Sequence, residues 1–417
     1  MIKTYLSVFS FLFVCSALKA QTPTWVVYGA VPNVATRCSA IDDSSNAWVA
    51  TFGGGVSKVK DGSYTNFYSG NSGLTDDNAT SVAIDTAGIK WFGTYNTGAF
   101  SYDGTTWTNL NNTNGLPGNR INCITVDTVT NNKWFGINFN GATKYDGTNF
   151  TTYKTTQGLP NNNVNDIKVD AAGNVWVATY GGLAKYDGVS WTSFTTSNSG
   201  IAHNQTYSIA IENATTFWIG TAAGLCKFDG AATWTIFSTA NSSLPYDYVN
   251  TVAVDAAGDK WVGTTQGAMA KFDGVATWTL FNTGNSSIPG VDVRHIMIDR
   301  DDNKWIATND GGFAFYGIIP AIGLKNALVA ADIILYPNPV NESLTIELGN
   351  ISSDETTMTF KAFNALGKEV KIIGLNSKTN GLSKTLLDLE SLEEGIYFYS
   401  ISDTNNKVLK TGKFVKN

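Results

Sequence analysis

Residues 158–194 read GLPNNNVNDIKVDAAGNVWVATYGGLAKYDGVSWTSF, and the fold prediction depends on the pattern in this stretch. Four short runs rich in β-branched and aromatic residues are separated by Gly or Asp-Gly turns: VNDIKVD, VWVATY, LAKYDG and SWTSF. Such runs predict four antiparallel strands, which we name a to d in chain order. No sustained helical period interrupts them.

The same pattern recurs along most of the chain. The tryptophan of strand b returns every 42 to 44 residues, at Trp48, Trp91, Trp134, Trp176, Trp218, Trp261 and Trp305. A period of this length with four strands per copy is typical of a β-propeller blade. An aromatic residue leads strand d in six copies, whereas the seventh copy lacks this strand and the pattern stands instead at Trp25–Tyr28. We therefore predict an all-β chain in which residues 21–316 form a seven-bladed β-propeller closed by the N-terminal strand.

The N-terminus and the charge balance restrict location and partners. Residues 1–20 combine Lys3, an apolar run and Ala20, which predicts a secretory signal peptide and no membrane span in the mature chain. Residues 22–316 hold 23 acidic and 16 basic residues with no basic run, so nucleic acid is not an expected partner. The remaining cysteines, Cys38, Cys123 and Cys226, are interpreted as unpaired buried residues. No metal or cofactor motif is found, and none is expected to bind.

The composition changes after Gly317. Residues 317–332 are interpreted as a linker, and residues 333–417 predict a small antiparallel, Ig-like β-sandwich. The segments YPNP, Asn364 to Val370, Leu392 to Tyr397 and the basic finish at Lys410, Lys413 and Lys416 resemble the type A C-terminal sorting domain of the type IX secretion system of Bacteroidota. This resemblance implies that the secretion machinery recognises residues 333–417. It also implies export through the periplasm to the outer cell surface or the medium, usually with removal of the domain.

The propeller copies resemble a second family. Gly-Leu-Pro-x-Asn-x-Val, Gly-Asn-x-Trp-Val, Gly-Leu-x-x-Tyr-Asp-Gly and Trp-x-x-Phe are similar to the two-component regulator propeller repeat over residues 25–316. In sensors of that family the propeller is periplasmic and precedes a membrane helix and a kinase. Neither segment is found in this sequence, so the resemblance implies the fold and ligand binding rather than transmembrane signalling.

Candidate binding residues are sought where the copies differ on one face. The connection from strand d to the next strand a and the turn from b to c should meet at one rim of the channel. Two columns of the repeat fall there, one five residues before the acid that ends strand a and one four residues after the strand-b Trp. The candidates taken from these columns and beside them are Arg37, Phe52, Tyr95, Asn122, Phe139, Asn165, Tyr180, Tyr207, Asn250, Arg294 and His295.

Aromatic rings beside Asn and Arg donors suit a glycan or a polar peptide, and we expect a secreted or surface binding module for such a ligand. Three alternatives stay open. The rings are core residues that fill the space between blades; the protein is an adhesive or structural spacer; or His295, with Arg37, Tyr207 and Arg294, serves a polysaccharide lyase-like reaction. No Ser-His-Asp order or phosphate loop is present, and catalysis is not expected.

Overall fold

The computed structural model describes residues 22–28, 33, 35–60, 63–318, 333–348, 357–364, 368–376, 383–402 and 408–417. The predicted signal peptide lies outside the described residues, as does the predicted linker beyond Ile318. Apart from one 3-10 turn at Thr155–Gln157, the regular elements described are all β-strands, so the all-β prediction is confirmed. Across the same residues, no helix is long and apolar enough to cross a membrane.

The strands up to residue 318 are short, four to eight residues each. In chain order they are β1 Thr24–Tyr28, β2 Thr36–Ile41, β3 Ala47–Thr51, β4 Gly55–Lys60, β5 Ser63–Phe67, β6 Ala79–Ile84, β7 Lys90–Thr94, β8 Ala99–Tyr102, β9 Trp107–Leu110, β10 Ile121–Val126, β11 Lys133–Ile137, β12 Gly141–Tyr145, β13 Phe150–Tyr153, β14 Val164–Val169, β15 Val175–Thr179, β16 Gly182–Tyr186, β17 Trp191–Phe194, β18 Thr206–Asn213, β19 Thr216–Thr221, β20 Gly224–Phe228, β21 Trp234–Phe237, β22 Val249–Val254, β23 Lys260–Thr264, β24 Met269–Phe272, β25 Trp278–Phe281, β26 Val293–Ile298, β27 Lys304–Thr308 and β28 Gly312–Gly317.

These strands form seven four-stranded antiparallel sheets, which we number one to seven in chain order of their strand a. Sheets one to six each consist of four consecutive strands, beginning with β2–β5. Sheet seven contains β26, β27 and β28, and its fourth strand is β1, which pairs with β28 so that Trp25 lies opposite Tyr316. Strand a of each sheet lies against strand a of its neighbours, and β26 of sheet seven lies against β2 of sheet one. The chain therefore has the architecture of a β-propeller.

The apolar core lies between successive sheets. One cluster, for example, joins Trp48 and Val56 of sheet one to Val82, Phe92 and Phe100 of sheet two. Each cluster of this kind buries side chains of two neighbouring sheets, so the sheets stabilise one another in pairs.

The recurring acid at the end of strand a has a structural role. In six copies the indole N–H of the strand-b Trp donates to this acid six residues earlier, as Trp91 does to Asp85 at 3.0 Å. The same carboxylates also accept backbone N–H groups of their own turn. In sheets three, six and seven a lysine beside the Trp reaches back to the acid of the preceding sheet, for example Lys133 to Asp85 at 3.0 Å. These bonds connect the a–b turns to the buried tryptophans and connect neighbouring sheets to each other.

Acid should therefore destabilise the propeller. Burial on its own would raise the pKa of Asp42, Asp85, Asp170 and Asp255, but hydrogen bonds from Trp and the turn backbone outweigh it and hold each pKa below the ordinary value. A carboxyl with a depressed folded-state pKa stabilises the fold above its unfolded pKa of about 4 and loses that contribution as the pH falls through the folded value. We expect the free energy of unfolding, measured by denaturant titration, to fall steadily below about pH 4. Asp42→Asn should make the decline shallower, and an unchanged free energy between pH 5 and pH 3 would contradict the assignment.

The C-terminal part consists of two further antiparallel sheets. Its strands are β29 Ile333–Tyr336, β30 Ser343–Leu348, β31 Thr357–Phe363, β32 Glu369–Asn376, β33 Ser383–Asp388, β34 Gly395–Ser402 and β35 Val408–Lys416. One sheet has the order β29-β30-β33 and the other the order β32-β31-β34-β35. Leu344 and Leu387 of the first sheet share a core with Phe360, Tyr399 and Phe414 of the second. The sequence pattern did not reveal β29, which directly precedes Pro337.

Candidate functional site

The b–c turns and the d–a connections lie side by side on one face of the propeller, which we call the turn face. In all seven sheets the backbone N–H four residues after the strand-b Trp donates to the carbonyl seven residues before the strand-a acid. Phe52 donates to Ala35 in this way, and Tyr180 donates to Asn163. The two columns chosen from the sequence are therefore adjacent in space.

A β-bulge explains why one of these columns stands out. The pairing of strands a and b shifts register at the same position in every sheet. A bulge turns the extra residue away from the regular alternation of side chains. The residues at this position are Arg37, Thr80, Asn122, Asn165, Tyr207, Asn250 and Arg294.

Four of these bulge residues connect neighbouring sheets. The Asn122 amide donates to the Val164 carbonyl at 2.8 Å, and Thr80, Asn165 and Asn250 make the corresponding bond to the next strand a. Asn250 also donates to Asp292 at 3.1 Å. The sequence analysis assigned Asn122, Asn165 and Asn250 to ligand binding, which stays a prediction. In the structure the amide nitrogen of each is already used between sheets.

Across sheets one to three, two guanidinium groups flank a pair of aromatic rings. Phe52 and Tyr95 meet edge to face, with ring centroids 5.4 Å apart. The Arg37 guanidinium carbon lies 5.0 Å from the Phe52 centroid, and that of Arg120 lies 4.0 Å from the Tyr95 centroid. Each arginine therefore stacks on an aromatic ring that holds it at the turn face.

Sheets four, five and six each contribute one tyrosine to a row on the turn face: Tyr180, Tyr207 and Tyr248. Tyr180 lies 5.9 Å from Tyr207, and Tyr207 stacks on Tyr248 at 4.6 Å between ring centroids. The Tyr248 hydroxyl donates to the Tyr207 hydroxyl, which in turn bonds Gln205. Burial, followed by the bond to Tyr248, raises the pKa of Tyr207, so it stays a neutral phenol that offers a polar edge beside a flat ring.

Phe139 has an unusual backbone. Its φ of 58° places it in the left-handed region, and its side chain is 69% exposed. Its backbone N–H donates to the Asn163 side chain of the next sheet at 2.7 Å. A bulky residue at positive φ is strained, because its Cβ crowds the backbone. The other copies carry Gly53, Asn96, Gly181, Ala223, Gln266 and Asp310 at this point of the repeat.

A second set of polar side chains lies on the strands a of sheets four and seven. Lys168 bonds Asp166 at 2.8 Å, and the other Asp166 oxygen accepts the Ile209 N–H at 2.9 Å. His295 lies one residue beyond the bulge, where its Nδ1 accepts the Ser39 N–H at 3.3 Å. Burial, with a smaller effect of Lys168, lowers the pKa of His295 to about 3, so the ring is neutral near pH 7. Cys38, Cys123 and Cys226 are free thiols, and burial raises the pKa of Cys38 to about 11.

Sequence reasoning missed two members of the turn face, Arg120 and Tyr248. Both belong to the column seven residues before the strand-a acid, which also supplies Gln205 and Asp292. Reading this third column of the repeat would have identified them. A single sequence gives no signal that the backbone carbonyls of this column accept hydrogen bonds from the b–c turns.

The fold and this face define a β-propeller followed by a β-sheet unit, and family models match one stretch of the propeller and the whole of the second unit. Residues 158–181 match the two component regulator propeller, and residues 334–417 match the secretion system C-terminal sorting domain. Both resemblances drawn from the sequence are therefore confirmed. The chain carries a two-component regulator propeller repeat and a type IX sorting domain, and the sorting domain indicates export to the outer cell surface or secretion.

Solved structures show the same fold. The extracellular domain described for the hybrid two component system BT3049 from B. thetaiotaomicron has a TM-score of 0.62 at 17% identity, covering 95% of this chain and 57% of that one. PorZ, a surface component of the type-IX secretion system of Porphyromonas gingivalis, has a TM-score of 0.54 at 16% identity, covering 89% and 58%. Virginiamycin B lyase from Staphylococcus aureus has a TM-score of 0.57 at 15% identity, covering 72% and 99%. At these identities the likeness concerns the fold alone.

A curated relative matches a shorter stretch. Ulvan lyase NLR42 of Nonlabens ulvanivorans is 33% identical over 81 residues, which are 19% of this chain and 14% of that enzyme. The chain thus spans a small part of this relative and a little over half of the first two structures.

Proposed function

We propose that this chain is a secreted or surface-bound, seven-bladed propeller, closed by its N-terminal strand, that binds a glycan at the turn face. Residues 1–20 are the export signal, residues 21–316 the binding domain, residues 317–332 a linker and residues 333–417 an Ig-like sorting domain. The seven four-stranded sheets and the contact between β26 and β2 support the closed ring. The sorting-domain match supports the location.

Phe139 is the observation on which the binding role rests. An exposed aromatic side chain at a strained backbone position destabilises the fold slightly and contributes little to the core. Glycine would relieve the strain at this position, and in sheet one Gly53 stands there with a φ of 91°. An exposed ring beside the Asn163 side chain is suited to stack on the apolar face of a sugar. A phenylalanine at this position is therefore best explained by contact with a ligand.

Replacing Phe139 by glycine should separate binding from stability. We expect glycan affinity to fall about three- to tenfold, since an aromatic contact contributes about 0.5 to 1.5 kcal/mol beyond area burial. The free energy of unfolding should stay the same or rise by up to about 1 kcal/mol, because the strain at φ of 58° is relieved. Titration calorimetry against oligosaccharides and denaturant unfolding measure the two effects. Ala223→Gly, at the same point of sheet five, is the matched control.

A marked loss of stability in Phe139→Gly with unchanged affinity would show that the ring is a packing residue, which is the core interpretation left open by the sequence. The ring of Phe52 already contacts that of Tyr95, and the ring of Tyr207 contacts that of Tyr248, so part of that interpretation applies to them.

We propose binding without turnover. The lyase-like alternative depends on His295, which lies on strand β26, has one ring nitrogen bonded to the Ser39 backbone and has a pKa too low for an effective base near pH 7. The match to ulvan lyase covers 19% of this chain and 14% of that enzyme. Appearance of unsaturated ends when the protein is incubated with uronate polymers would overturn this part of the proposal.

A further inference from the structure

The chain uses arginine very sparingly, and it places most of its arginines on one face. Of 28 basic residues only four are arginines: Arg37, Arg120, Arg294 and Arg300. The first three lie on the turn face, at bulge positions or beside a b–c turn, and we call them the arginine rim. Arg300 is exposed at the opposite end of its strand, where it pairs with Asp43. Arginine differs from lysine because its planar fork binds a carboxylate through two parallel hydrogen bonds.

Arg37 and Arg294 occupy the same bulge position on β2 and β26, which lie against each other as the strands a of sheets one and seven. Burial and then repulsion by Arg294 lower the pKa of Arg37, against an opposing attraction from Asp292. Within the described residues the Arg37 guanidinium has no hydrogen-bond or carboxylate partner, and its contact is the ring of Phe52. It is thus a half-buried cation that no protein anion neutralises directly.

The carboxylates near this pair are already engaged. One Asp292 oxygen accepts Arg294 Nη2 at 2.6 Å, and the other accepts Asn250 at 3.1 Å. The two Asp310 oxygens accept the backbone N–H groups of Val291 and Asp292. Arg294 donates to Asp292 through Nη2, and its side chain is 32% exposed, so part of its fork of five N–H donors remains open to solvent. Donors for a further anion therefore remain on both arginines.

Arg120 repeats this arrangement on the far side of the Phe52–Tyr95 pair. It is exposed, it stacks on Tyr95 at 4.0 Å, and it has no carboxylate partner within the described part of the chain. Two guanidinium groups without a protein anion thus flank one aromatic pair. A face with single, separated cations beside aromatic rings is suited to a ligand that repeats one negative charge per unit.

We propose that the arginine rim binds the carboxylates of an acidic glycan, with Arg37 and Arg294 forming one carboxylate site and Arg120 a second. This inference rests on the proposed glycan-binding function and specifies its ligand class as a uronate-containing saccharide. The open rings of Phe139 and Tyr180 favour a sugar over a peptide, because peptide anchors insert into closed apolar pockets whereas pyranose faces stack on exposed rings.

Titration calorimetry on the full chain tests this directly. The probes are oligomers of galacturonate, glucuronate and mannuronate, the methyl esters of each, neutral oligomers of matching sugars, and a glutamate-rich peptide. We expect at least one uronate oligomer to bind. Its methyl ester should bind at least about tenfold more weakly, since hydrogen bonds to charged groups contribute more than neutral ones. The double variant Arg37→Gln with Arg294→Gln should lose affinity by a similar factor. Arg300→Gln, which removes the same charge at the opposite end of the propeller, should bind like the wild type.

The outcomes distinguish the glycan-binding function from the carboxylate site of the arginine rim. If a neutral oligomer binds as well as the uronate, and binding depends on Phe139 but not on the arginines, the glycan-binding function stands and the carboxylate site is wrong. If only the glutamate-rich peptide binds and requires the arginines, the choice of a glycan is wrong. If no probe binds the wild type, both the site and the function are overturned. Near-UV circular dichroism of each variant confirms that its fold is intact.

Discussion

Replacing Trp25 with alanine should lower the free energy of unfolding by about 2 to 4 kcal/mol, although Trp25 lies in the first described strand and its partners lie near residue 300. Its ring packs 4.8 Å from Tyr316 of sheet seven and 6.1 Å from Phe281 of sheet six. The ring thus contributes to the core between the last two sheets. Trp25 is half-buried, so we expect less than the full cost of a core tryptophan. Equilibrium denaturation measures the effect.

Val27→Ala is the matched control for Trp25→Ala. Val27 lies in the same strand, pairs with Ala314 and is 45% exposed, so its truncation should change stability by about 0.5 kcal/mol or less. A loss below about 1 kcal/mol for Trp25→Ala would mean that the N-terminal strand does not close the ring.

Replacing Lys304 with alanine should cost about 3 kcal/mol or more, since breaking a buried ion pair leaves an uncompensated charge. The Lys304 side chain is 7% exposed and that of its partner Asp255 is 4% exposed, with 3.2 Å between Nζ and Oδ2. Lys304 also lies 4.9 Å from the centroid of Trp261. The expected loss is at the lower end of the range for buried pairs, because Asp255 keeps its bonds from Trp261 and from its own turn.

Lys271→Ala provides the comparison for Lys304→Ala. Lys271 pairs with Asp259 at 2.7 Å, but its side chain is 35% exposed, so solvent weakens the pair and the expected loss is about 1 kcal/mol or less. Equal losses in the two variants under denaturant unfolding would show that the lysine contacts between sheets do not contribute as buried pairs.

The sequence predicts the repeat and its strands because both depend on periodic burial. Each strand-b tryptophan is buried between sheets, so its position recurs at a fixed spacing that a single chain displays. The N-terminal strand is predictable for a related reason, since Trp25 leads a strand of the type that the seventh copy lacks. The strand Ile333–Tyr336 lies in no repeat, and its short apolar run before Pro337 gives no comparable signal.

The turn face is less predictable because it depends on contacts between sheets. The columns that contain Arg37, Tyr180 and Arg294 are readable, since copies can be compared position by position. The sequence does not predict which contact each residue of a column makes. Asn165 bonds the next sheet, whereas Arg37 in the same column stacks on Phe52. The positive φ of Phe139 depends on the Asn163 side chain of the next sheet, which no local pattern reports.

Hydrogen exchange of the full chain with and without a bound uronate oligomer tests the central claim, ligand binding at the turn face, most directly. We predict slower exchange in the b–c turns around Tyr95, Phe139 and Tyr180 and in the connection that leads to Arg294. Exchange should be unchanged in the outer strands β9, β17 and β25 and in the a–b turns, whose aspartates accept the indole N–H of the strand-b Trp. Protection confined to those outer strands or a–b turns, with no change at the turn face, would contradict the account.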